Sequence, residues 1–343
     1  MSLILEKLDR LIFYATNASM RLLVTGGCGF IGSNFIRYVL EHYDPERITN
    51  VDLLTYAGSL QTTADLAERF GDRYEFIRAD IADPKKIEEI LSAHSYFGLI
   101  NFAAESHVDR SILSPADFIS SNVVGTTVLL DAARKHGVKR FLQVSTDEVY
   151  GSNDAPVSEN AILNPSSPYS ASKASGDLLA LSYQKTYGQD VVITRCSNNF
   201  GPFQYPEKLI PLMILRALAN QTLPVYGDGL YMRDWLYVED HCAAVFDVLM
   251  NGVSGSIYNV ASGSEHKNID VVKTILKHLN RSEDLITFVP DRPAHDRRYS
   301  LDSSKIRKEI GWKPLHDFEP TLLRTVDWYR VNEAWWRAVL SNQ

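Results

Sequence analysis

Cysteine is scarce. Three residues, Cys28, Cys196 and Cys242, are spread through 343 positions, each isolated and together odd in number. No C-x-x-C pair and no His/Cys group at zinc-ligand spacing occurs, so a disulfide scaffold and a structural zinc site are excluded and no metal is expected. Reduced cysteines in a cytoplasmic protein are the simplest reading. Long apolar runs are also missing: none approaches the roughly 18 residues that a bilayer-crossing helix needs, and no membrane partner is expected. There is no Lys/Arg-rich run or basic arm, and the net charge is −7. That argues against nucleic acid as a partner. A local basic cluster, Asp296-Arg297-Arg298, fits a small anionic ligand better. The first nineteen residues lack the pattern of a signal peptide, because Glu6, Lys7, Asp9 and Arg10 interrupt the apolar Leu3-Ile4-Leu5 and Leu11-Ile12-Phe13. They read as an upstream extension, with a short helix as one form.

What is present is apolar material at 45% of the chain, enough for a sizeable core in one large or two medium domains. Short apolar runs at 21–25, 48–52, 74–80, 99–104, 140–146 and 191–197 read as strands. Helical stretches alternate with them: 30–43, 84–94 with Pro84 near its start, 115–136 ended by Gly137, and 169–187. Alternation of this kind predicts right-handed crossovers and an α/β fold, a doubly wound parallel sheet of the Rossmann type. After about Asn198 prolines, glycines and short elements dominate, with helices at 239–250, 268–279 and 319–332. The expected organisation is an extension at 1–19, a dinucleotide-binding domain at 20–198, and a smaller C-terminal α/β substrate-binding lobe at 199–343. Some segments of that lobe are expected to cross back to the first domain.

Gly26, Gly29 and Gly32 form a G-x-x-G-x-x-G loop between the first strand and the first helix. Glycines permit the tight turn and let the backbone approach a pyrophosphate at the helix N-terminus. Asp52 lies twenty residues beyond Gly32 at the end of the second strand, where an acid binds ribose hydroxyls and repels a 2′-phosphate. Leu53 and Leu54 follow, with no arginine there, so NAD is favoured over NADP. Asp80 and Ile81, after the third strand, suit an adenine contact. Cys28 is a small loop residue.

Tyr169 and Lys173 are four apart and share a helix face. A free tyrosine titrates at about 10. A nearby ammonium and the nicotinamide charge would stabilise its phenolate and make it a base. Asp147 and Glu148 follow Thr146 at the end of the fifth strand, where ligands of open α/β sheets bind. Two adjacent carboxyls tend to part their titrations, leaving one acid and one base. A solvated acidic turn is the plain alternative.

These residues together resemble the dTDP-glucose 4,6-dehydratase family. The similarity runs from Met20 to the C-terminus. It is carried by residues 25–32 (Thr-Gly-Gly-Cys-Gly-Phe-Ile-Gly), 54–58 (Leu-Thr-Tyr-Ala-Gly) and 103–111 (Ala-Ala-Glu-Ser-His-Val-Asp-Arg-Ser). It continues through 145–151, 169–173, 197–202, Pro206 to Pro211, Arg233-Asp234-Trp235 and 291–299. Cys28 and Ala294 stand where the family usually has Ala and Gly.

The resemblance implies a three-stage reaction. Tyr169 takes the proton of the sugar 4-hydroxyl, which Thr146 hydrogen-bonds, and hydride passes from C4 to NAD. Glu148 then removes the acidified C5 proton while protonated Asp147 releases the 6-hydroxyl as water. Hydride returns to C6, so the enzyme is a hydro-lyase whose 4-keto-6-deoxy product feeds deoxysugar synthesis of the dTDP-rhamnose kind. Lys173 also holds the nicotinamide ribose. For the cofactor, the resemblance carries over Phe30, Ile31, Leu53, Leu54 and Thr55 beside the glycines and Asp52. It adds Ala103, Ala104, Ser106, Asn199 and, where the family often has Thr, Ser121. For the nucleotide sugar it implies His107, Asn198, Lys208, Leu209, Arg233, Asn268, Asp291 and His295, with Pro224 and Tyr226 flanking the base. It also implies a homodimer through helices 115–136 and 169–187, although an apolar face could equally pack within one chain. A UDP-glucose dehydratase shares Thr-Asp-Glu, whereas Arg233-Asp234-Trp235 looks like the dTDP-glucose type. A 4-epimerase needs no acid pair, and a non-catalytic NAD-binding protein would not need to keep all five reaction-centre residues.

Overall fold

A computed structural model describes residues 20–291 and 295–341. The reading of 1–19 as an extension lies outside the described residues. Seven parallel strands form the main sheet: β1 (Arg21–Thr25), β2 (Arg47–Asp52), β3 (Tyr74–Arg78), β4 (Gly98–Asn101), β5 (Arg140–Thr146), β6 (Val191–Cys196) and β10 (Ile257–Val260). Their order is β10-β6-β5-β4-β1-β2-β3. The chain therefore winds outward in both directions from the gap between β1 and β4, the switch point where ligands bind such sheets. Both faces are covered by helices, and β1, β2, β5 and β6 are buried almost throughout, which explains their continuous rather than alternating apolar character.

Two strands are shorter than their apolar runs. β3 stops at Arg78 and β4 at Asn101. Phe102 still donates its N–H to Thr25, after which the chain turns away across the strand ends. Asp80 and Ala103 therefore lie beyond the sheet, not within strands.

Local chemistry sets the helix ends. Asp83 accepts from the N–H groups of Lys85 and Lys86 ahead of Pro84. Ser167 and Ser170 cap each other's backbone at the start of helix Pro168–Tyr187, which ends on Gly188 in the left-handed region. The stretch expected as one helix over 115–136 is divided: Ala116–Ile119, a wide π turn at Ser120–Gly125, then Thr126–Lys135. Hydroxyls of Thr126 and Thr127 engage the carbonyls of Asn122 and Val123 here, and Gly125 sits against Ile81, where a Cβ would come within 2.6 Å.

The remaining strands are β7 (Asn198–Phe200), β8 (Leu223–Tyr226), β9 (Met232–Tyr237), β11 (Glu265–Lys267) and β12 (Ile286–Val289). They form a three-stranded sheet, β11-β9-β7, and a parallel pair, β12-β8. A second core gathers around Phe200, Trp235, Leu322 and Tyr329. Several connections tie this half to the first, including these two. Strand β10 pairs with β6, and Trp335 of the last described helix (Glu333–Ser341) donates to Thr62 at 3.3 Å.

Candidate active site

The glycine loop is held by contacts that exclude side chains. Gly26 has φ +72°, and a Cβ there would lie 2.6 Å from the Ala103 nitrogen. At Gly32 a Cβ would lie 2.3 Å from the Gly26 carbonyl oxygen. Asp52 closes the other side. Its carboxylate accepts the N–H of Cys28 at 2.9 Å and of Leu54 at 2.8 Å. Burial pushes the Asp52 carboxyl above its ordinary value, and these two backbone bonds oppose the shift. Leu54 has φ +63°, an uncommon conformation for a leucine, which this hydrogen bond helps to hold.

Beyond the strand ends opens a cleft of about 820 Å³. Every residue expected for the cofactor except Leu54 lines it, from the glycines, Phe30 and Ile31 through Asp52, Asp80 and Ile81 to Ala103, Ala104, Ser106, Ser121 and Asn199. Leu54 faces an adjoining cavity of about 680 Å³ together with Arg110 and Val339. All five reaction-centre residues line the large cleft, as do Asn198 and Lys208. The side-chain oxygens of Asn198 and Asn199 are buried without a hydrogen-bond partner. Buried polar atoms need a partner, and these two belong to residues that line the cleft.

Thr146 organises the reaction centre. Its hydroxyl donates to Asp147 at 3.2 Å and accepts the N–H of Glu148 at 3.3 Å, and the Tyr169 phenol lines the same cleft. Asp147 is fully buried; burial first and the Glu148 charge second raise its carboxyl well above the ordinary range, which favours the protonated form. Arg233 opposes that shift. Tyr169 corrects one expectation. Burial, then Glu148 and Cys196, push its phenol up rather than down, and Lys173 turns its ammonium to the Val144 carbonyl at 2.6 Å. In this dry pocket desolvation outweighs the lysine charge, so the positive charge of a bound nicotinamide would be needed for ionisation.

The other residues expected for the nucleotide sugar do not line this cleft; several gather around Tyr231. Arg233 is buried and donates to the carbonyls of Met232, Asp296 and Arg297, its guanidinium 4.4 Å from the Tyr299 ring centre. His295 stacks on Tyr231 at 3.8 Å and bonds Asp291 at 2.6 Å, with Tyr226 edge-on at 6.0 Å. Asn268 donates its N–H to Tyr231, and its side-chain oxygen is buried without a partner. Pro224 lies on β8, and Leu209 opens helix Leu209–Leu218. His107 instead joins Glu207 at 3.4 Å. The basic cluster is a second correction. Arg297 is paired bidentately with Asp228, and Arg298 with Glu265. Their charge is spent on partners within the chain, and the Asp228 carboxyl is lowered to about 2 by Arg297.

Three polar residues escaped the sequence reading. Ser145, Asp177 and Arg195 form a buried group behind the centre. The signal was there in Arg195, a charge inside the apolar run Val-Val-Ile-Thr-Arg-Cys, and in Asp177, one turn after Lys173.

Doubly wound sheet, glycine loop, Asp52 and the Tyr169–Lys173 pair together define a protein of the short-chain dehydrogenase/reductase class. Comparison with known proteins narrows this. The family described as GDP-mannose 4,6 dehydratase matches residues 23–325. The chain is 47% identical to a dTDP-glucose 4,6-dehydratase of Escherichia coli, over 94% of this chain and 96% of that one. Its fold matches the crystal structure of a Streptomyces venezuelae dTDP-glucose 4,6-dehydratase with NAD and TYD bound, at TM-score 0.90 and 45% identity, covering 93% and 100% of the two chains. A Bacillus anthracis dTDP-glucose 4,6-dehydratase in complex with NAD matches at TM-score 0.87 and 44% identity, covering 94% and 100%. The chain belongs to the GDP-mannose 4,6 dehydratase family and, at this identity and coverage, to the dTDP-glucose 4,6-dehydratase family.

Proposed function

We propose that this protein is an NAD-dependent hydro-lyase that converts dTDP-glucose to dTDP-4-keto-6-deoxyglucose and water. The carrying observation is the reaction centre itself: an acid pair, Asp147 and Glu148, bonded to Thr146 and gathered with the phenol of Tyr169 in one cleft. An enzyme that only oxidises or epimerises at C4 has no use for the pair. The glycine cradle, Asp52 and the unpartnered oxygens of Asn198 and Asn199 suit a bound dinucleotide. When bound, NAD accepts hydride from C4 and later returns it to C6.

The chain's own groups move the protons. Tyr169 takes the 4-hydroxyl proton, with Thr146 orienting that hydroxyl. Glu148 removes the C5 proton, whose acidity rises once C4 is a ketone. Asp147 delivers its proton to the departing 6-hydroxyl; burial favours its protonated form and so suits it to that role. Arg233 and Lys208 meet the diphosphate, and Asn268, Asp291, His295, Pro224 and Tyr226 meet the nucleoside. Residues 20–198 serve the cofactor and 199–343 the nucleotide sugar. A cytoplasmic homodimer is part of the reading. Leu113, Ile119, Val124 and Leu178 stay exposed on and beside helices 116–135 and 168–187, an apolar face that a second copy would cover. No helix among the described residues is long and apolar enough to cross a membrane.

Purified protein is expected to carry NAD and to turn dTDP-glucose, without added cofactor, into a product lighter by one water, read by mass spectrometry. Turnover of UDP-glucose with none of dTDP-glucose would overturn the substrate assignment. Gly32→Ala is expected to yield protein without NAD and about 3 kcal/mol less stable, because the added methyl meets the Gly26 carbonyl. Cofactor content after denaturation and a urea titration check this.

A further inference from the structure

Tyr231 carries no signal in the sequence, yet the fold sets it against three residues expected for the nucleoside. It ends the turn ahead of β9 and is buried. Its backbone carbonyl accepts the N–H of Asn268 at 2.9 Å. Its ring lies nearly parallel to the His295 imidazole, with 12° between the planes and 3.8 Å between the centres. Its hydroxyl donates to one carboxylate oxygen of Asp291, and the other oxygen bonds His295 Nδ1 at 2.6 Å. His295 is thus tied to Tyr231 twice, directly by the stack and indirectly through Asp291.

Neither Asp291 nor His295 belongs to a helix or strand, so no backbone ladder fixes where their side chains lie. Backbone bonds secure the chain on either side of them. Gly227 donates its N–H to the Val289 carbonyl at 3.0 Å, and Met232 donates to the Arg297 carbonyl at 3.1 Å. Both donors flank the turn that carries Tyr231, and that turn is itself anchored by the N–H groups of Asn268 and Ile269. Tyr231 therefore reaches Asp291 and His295 from a fixed base, between two fixed points. Filling the core is the plain alternative for a buried tyrosine. A phenyl ring would do that as well; the hydroxyl is what the core does not need, and it is the hydroxyl that reaches Asp291.

We propose that Tyr231 is a positioning residue for nucleotide-sugar binding: stacked on His295 and bonded to Asp291, it holds both side chains in the arrangement that receives the nucleoside. Side chains already held in place lose less freedom when a ligand binds, so the gain appears as affinity. Arg233 stands two residues further on, in β9, its guanidinium 5.9 Å from the Tyr231 ring centre. One short segment thus serves both the nucleoside and the diphosphate. Tyr231 does not line the cleft that holds the reaction centre, so the chemical steps should not feel its loss.

This inference rests on the assignment of Asp291 and His295 to the nucleoside given above, and the test separates the two. Tyr231→Phe keeps the ring and its stack and removes the bond to Asp291. The KM for dTDP-glucose is expected to rise about fivefold, within the range of one hydrogen bond. The Kd of the NAD-loaded protein for dTDP, read by calorimetry, should rise by the same factor, with kcat within about twofold of wild type. Tyr231→Leu removes the stack as well and should raise KM and Kd about 20-fold or more. If the leucine variant does not fold, the phenylalanine variant decides alone. Wild-type KM and Kd in Tyr231→Phe, with or without a loss of kcat or thermal stability, overturn the proposal and leave a structural role. The underlying assignment fails differently: His295→Ala would then bind dTDP as tightly as wild type, and the proposal would fall with it.

Discussion

Tyr169→Phe is expected to lower kcat about 10³-fold, within the range that a positioned general base contributes. Its ring sits edge-on to Phe118 at 6.3 Å in a small cluster with Val108, and phenylalanine keeps those contacts. The fold and the bound NAD should therefore survive. What disappears is the proton acceptor for the 4-hydroxyl. Mixing the NAD-loaded variant with dTDP-glucose in a single turnover should show almost no NADH. The pH dependence provides an internal check. The wild-type phenol is held above its ordinary value by burial and by Glu148 and Cys196, so the base form grows as pH rises. The rate of C4 oxidation should climb with pH on the acidic side in wild type and lose that slope in the phenylalanine variant. NADH formation at an unchanged rate would assign the base elsewhere.

Glu148→Gln is expected to cut turnover by a similar factor, about 10³, but at the next stage. C4 oxidation does not need this carboxylate, so NADH should accumulate on mixing, while deuterium from solvent no longer enters C5. Exchange at the wild-type rate would remove Glu148 from the role of base. Asp147→Asn separates the acid from the base: C5 exchange should persist although no water leaves. The sign of the wild-type pH response follows from burial. Asp147 must be protonated to act, and its carboxyl is raised by burial and by the Glu148 charge, so elimination should hold to higher pH than an ordinary carboxyl would allow and fail as pH climbs past that raised value.

Much of this centre was legible in the chain because its parts are local. Thr146, Asp147 and Glu148 are consecutive, Tyr169 and Lys173 are one turn apart, and Gly26 to Gly32 form a single loop. The first six strands were legible for a similar reason, each being a short apolar run between turn residues. Legibility failed where the outcome depended on partners far away in sequence. The π turn at 120–125 arises from threonine hydroxyls and from Ile81 pressing on Gly125. The basic look of Arg297 and Arg298 disappeared once Asp228 and Glu265 came alongside. Asp177 stood one turn after Lys173 in the sequence, but its partners Arg195 and Ser145 emerge only when two strands bring them to it.

Strand β10 has a consequence for how the protein is made. The roughly sixty residues between Cys196 and Ile257 must leave the ribosome before the last strand of the main sheet can pair with β6. At about 5–20 residues per second this takes roughly 3–12 s. During that interval the β6 edge, buried on both faces in the finished molecule, offers its unpaired backbone to any passing strand. The nascent chain is thus exposed to misassociation at this edge while residues 197–256 are being made. A message truncated before Ile257 would leave that edge open for good.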